Sequence, residues 1–252
     1  MCVYSKMRMG QPSQLTVILL LILAACSGPP IDTLTKDNPL LNASVHGDSK
    51  RLATLISSGA DVNASDRNGM TALHWASHQF VRWGIYNDQV GCLRILIANG
   101  ADVNAKTNSG ETPLELGSWS VDCVRILVEA GAEVNTADAH GETPLLRAAQ
   151  EGSMESLKLL LKTGANPNAQ DSFGWTPLMA AVIHGTPQMV KALLDAGAKV
   201  NVRNKLGKTA VANLATAQLP DAFDQLIHPS DRRYVRERQQ ILQMLRGVGG
   251  TD

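Results

Sequence analysis

Residues able to do chemistry are sparse in this chain. His74 and His78 stand four apart, so on a helix both imidazoles fall on one face, the spacing of a metal-binding pair. No acidic residue lies between them to act as the general base of a zinc peptidase, and no metal site is expected. Cys92 and Cys123 are the only thiols in the body of the chain, too few for a disulfide framework. A Ser-His-Asp order, a glycine-rich phosphate loop and paired carboxylates in a suggestive context are all missing. Arg232, Arg233, Arg236 and Arg238 make one basic stretch, which reads either as a solvated helix face or as a contact for anionic lipid. A non-catalytic protein without a cofactor is the expectation.

The elements that carry these residues divide into a leader and a repetitive body. Lys6 and Arg8 precede an apolar run from Leu15 to Ala25. That run is too short for a bilayer, which needs ~20 residues, and reads as a signal-peptide core. It ends in Leu23-Ala24-Ala25-Cys26, which resembles the bacterial lipobox. The resemblance implies cleavage after residue 25, acylation of Cys26, and, with Ser27 and not Asp following, an outer-membrane lipoprotein whose domain lies in the periplasm. Residues 1–25 are then the signal peptide and 26–32 the lipidated N-terminus with a short tether of at most ~20 Å.

Composition bounds the body. Hydrophobic residues make up 44% and charged residues 18%, ordinary for a globular protein. Acidic and basic residues number 23 each, so no global field draws the chain to nucleic acid. Aromatics at 4% disfavour a sandwich or barrel and suit helices packed through Leu, Ala, Val and Ile.

Self-similarity organises everything after the tether. Gly69, Gly110, Gly141, Gly174 and Gly207 each stand two before a threonine, at Thr71, Thr112, Thr143, Thr176 and Thr209. A second series, Gly59, Gly100, Gly131, Gly164 and Gly197, leads in each case to an asparagine, at Asn63, Asn104, Asn135, Asn168 and Asn201. Thr143-Pro144 and Thr176-Pro177 read as an N-cap followed by a first-turn proline. Ala148-Ala149 and Ala180-Ala181 thin one face of the helix that follows. Leu157, Leu160, Leu161 and Val190, Leu193, Leu194 mark second helices that stop at a glycine. No such pair can bury its core alone, so the pairs must stack.

These motifs, legible at Gly174-Trp-Thr-Pro-Leu-Met-Ala-Ala181 and Gly59-Ala-Asp-Val-Asn-Ala64, resemble the ankyrin repeat. The resemblance implies an all-α solenoid of helix-turn-helix pairs with β-hairpin tips. Five repeats cover 33–203, divided as 33–65, 66–106, 107–137, 138–170 and 171–203, and 204–252 forms a partial sixth repeat with a C-terminal capping helix. The repeat from Asp66 is overlong near residues 80–87, between its two helices, and the next repeat is short at the same place, so the insertion either packs over Gly117 to Ser120 or forms a flap. The resemblance gives His74 the family's loop-bonding role. Cys92 and Cys123 fall on equivalent positions of adjacent second helices, ~10 Å apart, beyond the ~7 Å that a disulfide allows.

A monomeric protein-binding module follows from that resemblance, serving as scaffold, inhibitor or immunity protein through its concave surface. Export to the cell surface or a host, or an enzyme built around the insertion, are the alternatives. The family's habit of binding through tips and inner helices points to Arg67, Asn68, Met70, His78 and Gln79, then His140 and Glu142, then Phe173, Trp175, Ile183 and His184, with Leu206 and Lys208 on the next tip and Trp83 and Tyr86 in the insertion. Phe173, Trp175 and Leu206 form either an apolar hot spot or ordinary packing.

Overall fold

A computed structural model describes residues 38–78, 88–184, 186–216 and 232–251. The leader, Cys26 and the tether lie outside the described residues, as do Gln79, Trp83 and Tyr86.

Threonine and proline set the inner helices as their chemistry demands. Thr71 precedes α3 (Ala72–Ser77), Thr112 precedes α5 (Pro113–Leu116) and Thr143 precedes α7 (Pro144–Gln150). Each hydroxyl accepts from a first-turn amide, satisfying a donor that the helix cannot. Thr176 and Thr209 do the same for α9 (Pro177–His184) and α11 (Ala210–Thr216). In the first unit Asn38 takes over the cap of α1 (Pro39–Val45), accepting from Leu40 and Leu41. The second helices are α2 (Ser49–Ser57), α4 (Gln89–Ala98), α6 (Val121–Glu129), α8 (Met154–Lys162), α10 (Pro187–Asp195) and α12 (Arg232–Gly247).

Inner helices stack on inner helices and outer on outer, from α1 to α11 and from α2 to α12. The result is an all-α solenoid whose single apolar core runs the length of the described residues. Leu157, Leu160, Val190 and Leu193 are fully buried on the outer helices, and Ala148, Ala149, Ala180 and Ala181 on the inner ones. Short α5 and the early start of α6 at Val121 match the shortened third repeat, while the gap between α3 and α4 holds the insertion site.

Two rows of polar bonds bind neighbours together. In one, Asn135 Nδ2 donates to Gly164 O at 3.0 Å and Asn135 Oδ1 accepts from Asn166 N at 2.7 Å. Asn63, Asn104 and Asn168 repeat that double bond to the next unit. Gly164 sits at φ +92°, where a side chain would be strained, and so ends α8 sharply enough for its carbonyl to meet the asparagine. Asn201 bonds Gly249 O and Thr251 N in the same manner. α12 therefore stands where the outer helix of a sixth unit belongs.

The second row lies at the tips. Hairpin turns there are closed by bonds such as Asp138 N to Glu142 O and Asp171 N to Trp175 O, both 3.0 Å. One isolated bridge, Ser65 with Thr71, is the only β pairing among the described residues. Each tip donates to the one before it: Asn108 N to Asn68 O, Ala139 N to Ser109 O, Ser172 N to His140 O and Lys205 N to Phe173 O, at 2.6 to 2.9 Å. Tips approach so closely that a Cβ on Gly141, itself at φ +78°, would stand 3.0 Å from Asp171 Cα.

Candidate functional site

The tip turns are built by an acidic residue that turns back on its own backbone. Asp138 Oδ1 accepts from His140 N and Glu142 N, and Asp171 Oδ1 accepts from Phe173 N and Trp175 N. This holds residue 173 at the apex, where Phe173 is 67% exposed. Two open recesses meet at its ring. One, of about 410 Å³, is lined by Glu111, Asp138, His140, Glu142 and Arg147. The other, of about 470 Å³, is lined by Glu142, Gln150, Trp175 and His184, and both share Glu142, Asp171 and Phe173.

Beneath them the sequence reading missed a cluster of charge. Paired carboxylates are not apparent along the chain, yet Glu115, Asp138 and Glu142 come from successive repeats to place oxygens within 4.8 Å of one another. Arg147 stands among them, with Nη2 at 2.7 Å from Glu142 Oε2 and 3.1 Å from Glu115 Oε1. Glu115 has no exposed side-chain surface, and its burial pushes the carboxyl up to about 8 against the downward pull of Arg147. A mostly protonated Glu115 leaves the Arg147 charge committed to Glu142. Oxygen donors at this spacing suit a hard cation in kind, but the guanidinium already neutralises them. Thr107 and Ser109 hydroxyls fix Glu111 at the rim, at 3.2 and 2.7 Å from its Oε2.

The signal for this cluster was present. Thr112-Pro-Leu-Glu115 places an acid where Thr71-Ala-Leu-His74 has histidine, a fully buried position, and Arg147 follows one step beyond that position in the next repeat. His74 itself bonds Thr71 through Nδ1 and Glu111 O through Nε2 at 3.1 Å, and burial lowers its pKa. That is a tie between neighbouring tips, as the resemblance implies. His78 is half-buried, lowered to about 4 by burial, and lines a small recess of about 60 Å³ with Glu111, Trp119, Arg147 and Glu151. Trp119 Nε1 donates to Ser77 O at 3.0 Å, tying the short third repeat to the second.

A family model described as ankyrin repeats, three copies, matches residues 9–106, 40–138, 81–171, 120–204 and 145–233. The chain belongs to the ankyrin-repeat family. No curated protein matches it. Of the ankyrin positions expected to bind, His140, Glu142, Phe173, Trp175 and His184 converge on the paired recesses. Trp175, Ile183 and Met70 are half-buried and packed against the core, which gives them a share in the fold. Arg67 and Asn68 are exposed, and their carbonyls accept from Asn108. Leu206 is 77% exposed and Lys208 half-buried on the following tip, and neither lines the recesses.

Cys92 and Cys123 are free and buried, with desolvation pushing their thiols up to about 12 and about 11. In the terminal helix Arg238 donates to Leu214 O, which ties α12 to α11, while Arg236 is exposed. No described helix is long and apolar enough to cross a membrane.

Proposed function

We propose that this chain is a non-catalytic protein-binding module that engages its partner along the inner helices and tips of the third to fifth repeats. One observation carries the reading: two open recesses meet at Phe173, a large apolar side chain raised on a tip whose backbone is fully organised without it. The titratable groups beneath are engaged with one another, Glu115 and Glu142 both with Arg147, and the recess beside His78 has room for only a few waters, which favours binding over an enzyme site. A photo-crosslinking residue at position 173 should give a discrete adduct in the native host, and one at Lys158 on the outer helices should not. Adducts of equal yield from both positions would remove the tip face from consideration.

The lipid anchor rests on the Leu23-Ala24-Ala25-Cys26 motif and the apolar run before it. With Cys26 acylated and Ser27 next, the module works from the outer membrane into the periplasm as a scaffold, inhibitor or immunity-type protein. Several acyl chains, at ~0.8 kcal/mol per buried CH₂, hold it far more firmly than a single myristoyl group. Cys26→Ala should abolish palmitate labelling and release the protein from membranes; retained labelling would refute the anchor.

A further inference from the structure

Chain-wide, acidic and basic residues balance at 23 each, but the recesses on either side of Phe173 do not. Glu111, Asp138, Glu142 and Asp171 line them against one cation, Arg147, which is itself engaged with Glu142 and Glu115. The outer helices of the same repeats show the opposite habit. Their charges cancel locally, as in Arg125 with Asp122, Lys158 with Glu155 and Lys191 with Asp195. Negative charge is thus concentrated on one face, beside the rings of Phe173 and Trp175.

We propose that these recesses take a basic, extended segment of a partner protein, an inference that rests on the protein-binding reading and names the partner's chemistry. An arginine or lysine head sits between Glu111 and Glu142, where the Ser109 and Thr107 hydroxyls hold one carboxylate and Arg147 steadies the other. Its aliphatic stem, or the next apolar side chain, lies over Phe173 and against Trp175. Two repeat spacings of ~10 Å accommodate about six residues of extended chain at ~3.3 Å each. An acidic segment or an anionic lipid surface would meet like charge over the same span, which is why a basic partner is favoured.

The test uses the full chain in detergent and two labelled peptides, one alternating arginine with leucine and one alternating glutamate with leucine, read by fluorescence anisotropy. The arginine peptide should bind, with affinity falling as salt rises, and the glutamate peptide should not. Phe173→Ala, and separately Glu111→Gln with Glu142→Gln, should each weaken binding at least about tenfold, while Glu155→Gln on the outer face leaves it unchanged. Losing Glu142 also loosens Arg147, so if that double variant fails to fold, the exposed Phe173→Ala carries the result. Equal binding of both peptides, or undiminished binding by Phe173→Ala, would overturn the proposal. If neither peptide binds and position 173 still crosslinks a discrete adduct, the basic partner is wrong and the protein-binding reading stands. If crosslinking also fails, both fall.

Discussion

The two polar rows of this solenoid do the same mechanical task with different freedom. On the row of Asn63, Asn104, Asn135, Asn168 and Asn201, one residue type makes one pair of bonds from unit to unit. On the tip row a backbone bond recurs from unit to unit, and side chains add to it only in the early units, at His74 with Glu111 O and Asn108 with Arg67 O, so the apex side chains are largely released from it. Released positions are where repeats differ: residues 68, 109, 140, 173 and 206 are Asn, Ser, His, Phe and Leu. The contrast separates what holds the stack from what can vary to suit a partner.

The strongest way to break that comparison is to cut the outer half of the core. Leu160→Ala on α8, a fully buried side chain facing the continuous core, should cost about 2–5 kcal/mol, read as a large fall in the urea midpoint. A loss below about 1 kcal/mol would mean that the outer row does not carry the stack. Asn135→Ala is expected to be milder. It deletes two hydrogen bonds at an exposed edge where water can replace them, so about 1–2 kcal/mol is expected, and no change would demote the asparagine row to decoration.

How far the sequence foretold this division depends on whether a position's role belongs to backbone or to side-chain company. Thr143, Pro144, Gly164 and Asn135 announce themselves because caps, first turns, positive φ and interrepeat bonds each demand a residue type. The same logic made His74 a tip tie and kept Cys92 and Cys123 apart as buried thiols. Arg147 with Glu115 and Glu142 was harder to read: an acid and a base at neighbouring helix positions are a signal, but their meeting depends on how two successive repeats aim their side chains, and linear spacing does not encode that. The terminal helix, read as a C-terminal cap, also takes the place of the outer helix of the sixth unit. Leu245 and Gly250 repeat the Leu-x-x-x-Gly-Ala pattern of Leu193 to Ala198, with glycine replacing alanine, and residues 217–231 separate this helix from its partner.

Acidity gives a smaller, sharper test on the inner face. Glu115 is raised to about 8, so between the usual glutamate range and that value the folded chain keeps a proton that the unfolded chain has lost. Its contribution is fully present below the unfolded pKa and is lost as pH rises through about 8. Urea midpoints should therefore fall between about pH 6.5 and about pH 8.5 in the native chain and fall less in Glu115→Gln, whose amide has no proton to lose. The window lies above the titration of His78, lowered to about 4, whose burial opposes folding only on acidification. An identical pH dependence in both proteins would refute a buried, largely protonated Glu115.

The smallest effect on stability is expected where the largest effect on binding is proposed. Phe173 is 67% exposed, its own backbone is held by Asp171 Oδ1 and Lys205 N, and neither bond involves the ring. Truncation to alanine removes no buried surface of consequence and leaves the tip turn intact, so the urea midpoint should move by less than about 0.5 kcal/mol equivalent. Trp175, two residues away, is the internal contrast: it is half-buried against the core, and Trp175→Ala should cost clearly more than Phe173→Ala. Side-by-side urea unfolding of the two variants decides between them. If Phe173→Ala destabilised the chain as much as Trp175→Ala, the ring would belong to the fold, and the tip row would lose its standing as the freely varied surface.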